Sequence, residues 1–183
     1  EYFSFSDFAP TFLDLAGIDE ENHDMKPFSG KSWDSVFKNL KNTLPREHMI
    51  IGKERHDVGR ENDEGYPVRG IVKGNYFYSR NFKPHRWPAG NPETGYLNTD
   101  GSPTKTEILE LRRKDVDSSY WSLAFGKRPQ EELYDIEKDP QCLNNLSLDK
   151  NFSSIKKSLS DKLIEDLTKQ EDPRVLGLGD VFD

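Results

Sequence analysis

Apolar side chains at Phe8, Phe12 and Leu15 repeat at helical spacing. Asp7 is placed to cap that helix, Pro10 is tolerated in its first turn and Gly17 ends it. The segment from Asp19 to Lys31 is polar and broken by Pro27 and Gly30, after which Ser32 is placed to cap a second short helix carrying Trp33, Phe37 and Leu40 on one face. The period then changes. His48-Met49-Ile50-Ile51-Gly52 reads as a buried strand, and Val68 to Lys73 with Tyr76 to Arg80 reads as a hairpin turning at Gly74-Asn75. Ser102-Pro103-Thr104 starts a helix through Ile108 and Leu111 to about Lys114, and a further helical turn or two from Asp117 ends at Gly126. Glu132 to Ile136 alternates as a strand, and Phe152, Ile155, Leu159, Leu163 and Leu167 mark a long amphipathic helix. The order of elements predicts an α+β fold, a small antiparallel sheet of about four strands packed with a long C-terminal helix. Residues 1–45 are expected to form a helical part and linker, and 46–183 the sheet domain.

Composition narrows the class. With 183 residues, 11% aromatic and 32% charged, the chain has enough large side chains for a modest core despite its polarity. A net charge of −7 works against a general nucleic-acid binder, which needs a cationic surplus. No apolar run is long enough for a membrane span. Cys142 is the single cysteine, so neither an internal disulfide framework nor a multi-cysteine zinc site is available. The opening Glu1-Tyr2-Phe3-Ser4-Phe5 lacks an initiator Met and the marks of a signal peptide, and the chain is expected to begin inside a longer protein.

Two segments carry candidate chemistry. Between the first strand and the hairpin, Lys53 to Gly65 crowds charges into a loop that must lie at a surface. Arg55, His56 and Arg60 there are the candidate substrate-binding residues: Arg can hold a carboxylate or sulfate through two hydrogen bonds, and His can donate or accept near neutral pH. The competing reading is a solvated loop in which Glu54, Asp57, Glu61, Asp63 and Glu64 neutralise the cations. Asn81 to Pro88 interleaves bases with Phe82 and Trp87, a pattern able to stack on a sugar but more often packed on its own domain. Asn145-Leu146-Ser147 and Asn151-Phe152-Ser153 match the N-glycosylation pattern, which is frequent by chance. His23 and His48 lack partners at metal-ligand spacing, so no metal site is expected. No nucleophile motif, P-loop or Rossmann glycine pattern occurs, and no catalytic residue is assigned.

Three motifs in order carry a family resemblance. Asp7-Phe8-Ala9-Pro10-Thr11-Phe12-Leu13-Asp14-Leu15-Ala16-Gly17 resembles the helix after the sulfatase catalytic core, and Pro27-Phe28-Ser29-Gly30-Lys31-Ser32 its continuation. Glu132-Leu133-Tyr134-Asp135 through Asp139-Pro140 to Asn144-Asn145-Leu146 is similar to a segment near sulfatase C-termini. Within that family, Tyr66-Pro67-Val68-Arg69, Asn81-Phe82-Lys83 and Glu171-Asp172-Pro173-Arg174 look most like the heparan N-sulfatases (N-sulfoglucosamine sulfohydrolases).

The resemblance implies the C-terminal subdomain of an alkaline-phosphatase-like enzyme of glycosaminoglycan degradation, hydrolysing sulfate esters or sulfamates. It implies a missing N-terminal catalytic domain as partner, holding the calcium ion and the formylglycine nucleophile, and a sulfated saccharide as substrate. This chain alone, without cofactor or nucleophile, is expected to be inactive and to wall the substrate pocket. The resemblance also implies a secreted, periplasmic or lysosomal-type location. A free-standing carbohydrate-binding or interaction module is the alternative, and it would need a core that covers itself.

Overall fold

The computed structural model describes residues 2–19, 25–38, 46–55, 60–91, 93 and 98–183; His23, Leu40, His56, Asp57, Tyr96 and the Glu61 side chain lie outside the described parts. Two compact units result, Glu1–Met49 and Ile50–Asp183.

In the first unit, helix α1 spans Phe8–Leu15 and α2 spans Asp34–Phe37. Helix α1 ends in a Schellman arrangement, with the Ile18 amide donating to Leu13 at 2.9 Å and the Gly17 amide to Asp14 at 3.1 Å. Asp7 is not the side-chain cap expected of it. Its carboxylate, fully buried, instead accepts the backbone amides of Ser4 and Lys31, each at 2.8 Å, and the Trp33 indole at 3.2 Å. Donors brought in from distant sequence outcompete a local cap, because the buried carboxylate would otherwise carry its full desolvation cost. Gly30 makes this possible: a Cβ there would lie 1.9 Å from the Ser6 carbonyl oxygen, so only glycine brings this backbone against Ser6 and leaves the Lys31 amide within reach of Asp7.

The second unit holds one antiparallel sheet in the order β1 (Met49–Lys53), β2 (Val68–Lys73), β3 (Tyr76–Asn81), β4 (Glu131–Asp135). The β2–β3 hairpin pairs Lys73 with Tyr76 and Val68 with Asn81. Its turn takes the II′ sense, with φ of +56° at Gly74. Strands β3 and β4 pair Tyr78 with Leu133 and Ser79 with Glu132. Alternation divides the sheet into two faces. Ile71, Tyr78 and Leu133 point to α5 (Ser153–Lys169), where Leu159, Leu163 and Leu167 complete the core. Complete burial of each such side chain contributes about 1.5–3 kcal/mol.

Beyond the sheet, α3 (Pro103–Arg113) is capped by Ser102, whose hydroxyl accepts the Lys105 amide at 3.1 Å, and α4 (Ser119–Phe125) follows. Leu109, Trp121 and Phe125 form a second, smaller core against which Trp87 packs. The four-stranded antiparallel sheet with its C-terminal helix is the expected α+β arrangement, and the strands and α5 lie within two residues of their predicted limits.

Candidate functional site

The charged loop leaves β1 at Lys53 and is tied down by buried ion pairs. Arg69 on β2 donates to Asp172 at 2.8 Å and to Glu54 at 2.9 Å. Arg174, itself buried, holds the other Glu54 oxygen at 2.7 Å and donates to Asp183 at 2.8 Å and 3.2 Å. Lys83 and Arg86 also reach Asp183, at 2.9 Å and 2.7 Å. Hydrogen bonds from Arg174, Arg86 and Lys83 outweigh burial and hold the Asp183 carboxyl far below the usual aspartate range. The root of the loop is therefore a lattice of charge-assisted bonds.

The predicted binding residues divide. Arg55 pairs with Asp63 at 2.5 Å and donates to the Phe182 carbonyl at 3.4 Å. Arg60 is buried, donates to the carbonyls of Trp87, at 2.8 Å, and Pro88, and lies 5.8 Å from the centre of the Tyr66 ring. His56 is outside the described residues. The structure thus brings Arg60 to the segment 86–88 and Arg55 to Asp63, without joining the two on one described anion site.

The aromatic loop packs on its own unit. Trp87 meets Trp121 edge-on at 5.7 Å, with the Lys127 ammonium 4.9 Å from its ring centre. Asn145 is likewise committed: its side-chain oxygen accepts the Leu133 and Ser147 amides at 3.0 Å and 2.9 Å, and its amide nitrogen donates to Glu131. That gives the asparagine in the motif a structural role as a clamp on β4.

Sequence reasoning passed over the sheet face turned away from α5. There Glu132 accepts the Tyr134 hydroxyl at 2.7 Å and the Asn81 amide at 2.9 Å, with Arg128 at 3.9 Å. An open cleft of ≈420 Å³ adjoins this group, bordered by Ile51, Lys53, Val68, Phe77, Arg128 and Glu132 among others. Gly70 lies beneath Phe77: a Cβ there would come 2.8 Å from the ring, so glycine lets the ring lie low over the sheet. The signal available in sequence was the run of polar residues at alternate positions, Ser79, Asn81 and Glu132, on the face opposite α5, where all three are buried and hydrogen-bonded to one another.

The groups around this cleft stay protonated near neutrality. Burial, reinforced by Glu132, pushes the Tyr66 hydroxyl up to about 12 and the Tyr134 hydroxyl well above its usual range. Burial, with Asp139 and Glu132, also pushes the Cys142 thiol up. Such groups hold and orient a ligand rather than accept its proton. Among the described residues no three His, Cys, Asp or Glu side chains converge as a metal site requires, and no helix is long and apolar enough to cross a membrane.

Comparison with known proteins gives the fold its context. No family model matches. Two ulvan-active sulfatases of Formosa agariphila are similar to the chain, one 26% identical over 97% of it and the other 28% identical over 89%. The chain spans about a quarter of the length of these relatives, 26% and 27%. Among solved structures, a 2-O GAG sulfatase superposes with a TM-score of 0.56 at 19% identity, over 91% of this chain and 25% of that one. A second, solved with its substrate D-glucosamine-2-N,6-O-disulfate, gives 0.52 at 20% identity, over 92% and 25%. The four-stranded sheet backed by α5 thus shares its fold with a quarter-length portion of these solved sulfatases.

Proposed function

We propose that the chain is the C-terminal subdomain of a sulfatase that removes sulfate, as ester or sulfamate, from glycosaminoglycan-type saccharides. It walls the substrate pocket, while calcium and the formylglycine nucleophile belong to an N-terminal catalytic domain outside this sequence. The observation that carries the reading is the uncovered aromatic face of α1. Phe5 is 88% exposed, Phe12 61% and Leu15 53%, although these residues recur at core spacing. Phe3 and Phe8 extend the same cluster, with ring centres 4.9 Å apart. Contiguous apolar surface of this kind is uncommon on a self-contained domain and marks a contact with further protein. A free-standing carbohydrate-binding module offers no reason for it. The quarter-length match to sulfatases supplies what would lie there, and such a parent is of secreted, periplasmic or lysosomal type.

The relatives' activity on ulvan keeps a second polysaccharide in view. The test is sulfate release by the longer polypeptide that contains this chain, offered N-sulfoglucosamine, sulfated glycosaminoglycan disaccharides and ulvan oligosaccharides. Release from the glycosaminoglycan sugars by the long form, and none by residues 1–183 alone, is the expected result. Turnover by this chain alone, or by neither form, overturns the proposal, and release from ulvan alone reassigns the substrate.

A further inference from the structure

We propose that the cleft on the sheet face away from α5 is a separate binding site for an acidic sugar unit, with Lys53 and Arg128 holding its anionic substituent. The inference rests on the saccharide reading above but concerns different residues from the loop cations. Three observations converge on it.

The first is charge. Lys53 lines the cleft half-buried, and among the described residues its ammonium has no carboxylate partner. Burial and the neighbouring Arg60 both press its pKa downward, so an anion beside it would relieve a real electrostatic cost. Arg128 forms a long ion pair with Glu132 at 3.9 Å, donates to the Leu123 carbonyl at 3.0 Å, and is 37% exposed at its side chain, which leaves further guanidinium donors for a ligand. The cleft therefore borders two cations and one carboxylate that is already engaged by Tyr134 and Asn81.

The second is shape. A volume of ≈420 Å³ falls in the range of small-ligand sites and accommodates a single sugar ring with substituents. Phe77, kept low by Gly70, and Ile51 and Val68 give an apolar floor suited to the C–H face of a pyranose.

The third is unmet hydrogen bonding. Next to the cleft, though not lining it, the buried Tyr66 hydroxyl has no partner among the described residues and feels Glu132, Arg128 and Arg60. A native buried hydroxyl is ordinarily paired, so the cluster is short of polar partners. Hydroxyls that donate to Glu132, together with an acid group facing Lys53 and Arg128, describe an acidic saccharide rather than a neutral sugar or a lone anion.

The experiment titrates the 183-residue chain with glucose 6-sulfate, glucuronate, glucose and inorganic sulfate, read by ligand-observed NMR. Wild type, Lys53→Ala, Arg128→Ala and the surface control Lys157→Ala are compared, with folding of each verified by circular dichroism. At least one acidic sugar should bind tenfold or more tightly than both glucose and inorganic sulfate. Lys53→Ala and Arg128→Ala should each weaken it about tenfold, and Lys157→Ala should not. The tighter of the two acidic sugars identifies sulfate or carboxylate as the preferred substituent. Equal binding of glucose, equal binding of inorganic sulfate, no binding, or equal losses in the Lys157 control overturn the proposal. Because no turnover is read, failure here leaves the sulfatase reading to its own test of sulfate release.

Discussion

Arg46 lays both terminal guanidinium nitrogens on the carboxylate of Asp7, Nη1 to Oδ2 at 2.9 Å and Nη2 to Oδ1 at 2.7 Å, across 39 positions of sequence. The same carboxylate holds Ser4, Lys31 and Trp33, so one side chain joins three separate described stretches of the first unit. Removing one partner of such a pair leaves a buried charge short of compensation, which costs about 3–5 kcal/mol. Arg46→Ala should therefore loosen α1, seen as faster hydrogen exchange at Thr11 to Leu15, and Arg46→Lys should recover part of the loss. Burial would raise the Asp7 pKa, but the hydrogen bonds from Arg46, Lys31, Ser4 and Trp33 win and lower it. A lowered folded value means that the contribution is complete above the unfolded aspartate range, near about 4, and is lost as pH falls through the folded value. Protection of α1 should thus be flat at neutral pH and collapse in acid; an unchanged exchange rate in Arg46→Ala would remove Asp7 from this role.

Leu163 is fully buried between α5 and the sheet, against Ile71, Tyr78 and Leu133. Leu163→Ala should lower stability by about 2–5 kcal/mol in urea unfolding, because a cavity in so small a core closes only partly. Leu148→Ala, at a residue 92% exposed, should change little.

The sheet, the hairpin and α5 were legible from local signals. Val68 to Lys73 and Tyr76 to Asn81 flank a Gly-Asn turn signal, and the leucines of α5 fall on one stripe, even though the hairpin buries residues on both faces. The roles of the charged residues were not legible. Asp7 stands where a cap belongs, and only the chain's return at Lys31, Trp33 and Arg46 turns it into a hub. Arg60 and Arg69 look alike in sequence to Arg55, yet long-range partners at Trp87, Pro88 and Asp172 bury the first two. Partners a hundred residues away, as for Arg69 and Asp172, leave no local signature.

Asp183 gathers Lys83, Arg86 and Arg174, and that cluster makes a pH prediction of definite sign. Its carboxyl is lowered chiefly by the hydrogen bonds of Arg174, against burial, and then by Arg86 and Lys83. Stability from this cluster is present above the ordinary carboxylate range and disappears as pH falls through the folded value. Asp183→Asn should lower the denaturation midpoint at neutral pH, and wild type and variant should converge in strong acid. High salt should narrow the neutral-pH gap only in part, since Arg174 is buried. A gap that widens in acid would contradict the assignment.

The last prediction concerns the loop cations in the proposed longer sulfatase, where the three candidate residues should separate. Arg60 supports the loop from within: its buried guanidinium donates to the part-buried Trp87 and Pro88 carbonyls, and Arg60→Ala would remove both hydrogen bonds at about 1–3 kcal/mol. That variant should lose thermal stability together with activity on every substrate. Arg55 is 37% exposed at its side chain, and its pairing with Asp63 is a surface contact that a stronger anion can displace. His56 follows it in sequence. If these two reach a sulfated saccharide, Arg55→Ala and His56→Ala should each reduce kcat/KM about tenfold on the saccharide. Hydrolysis of a small aryl sulfate, and the melting temperature, should stay near those of Lys150→Ala, an exposed control. Steady-state kinetics on both substrates, paired with thermal unfolding of all four variants, distinguishes binding from support. Should Arg55→Ala and His56→Ala match the control on the saccharide, the loop cations serve the surface and its ion pairs, and substrate recognition lies elsewhere.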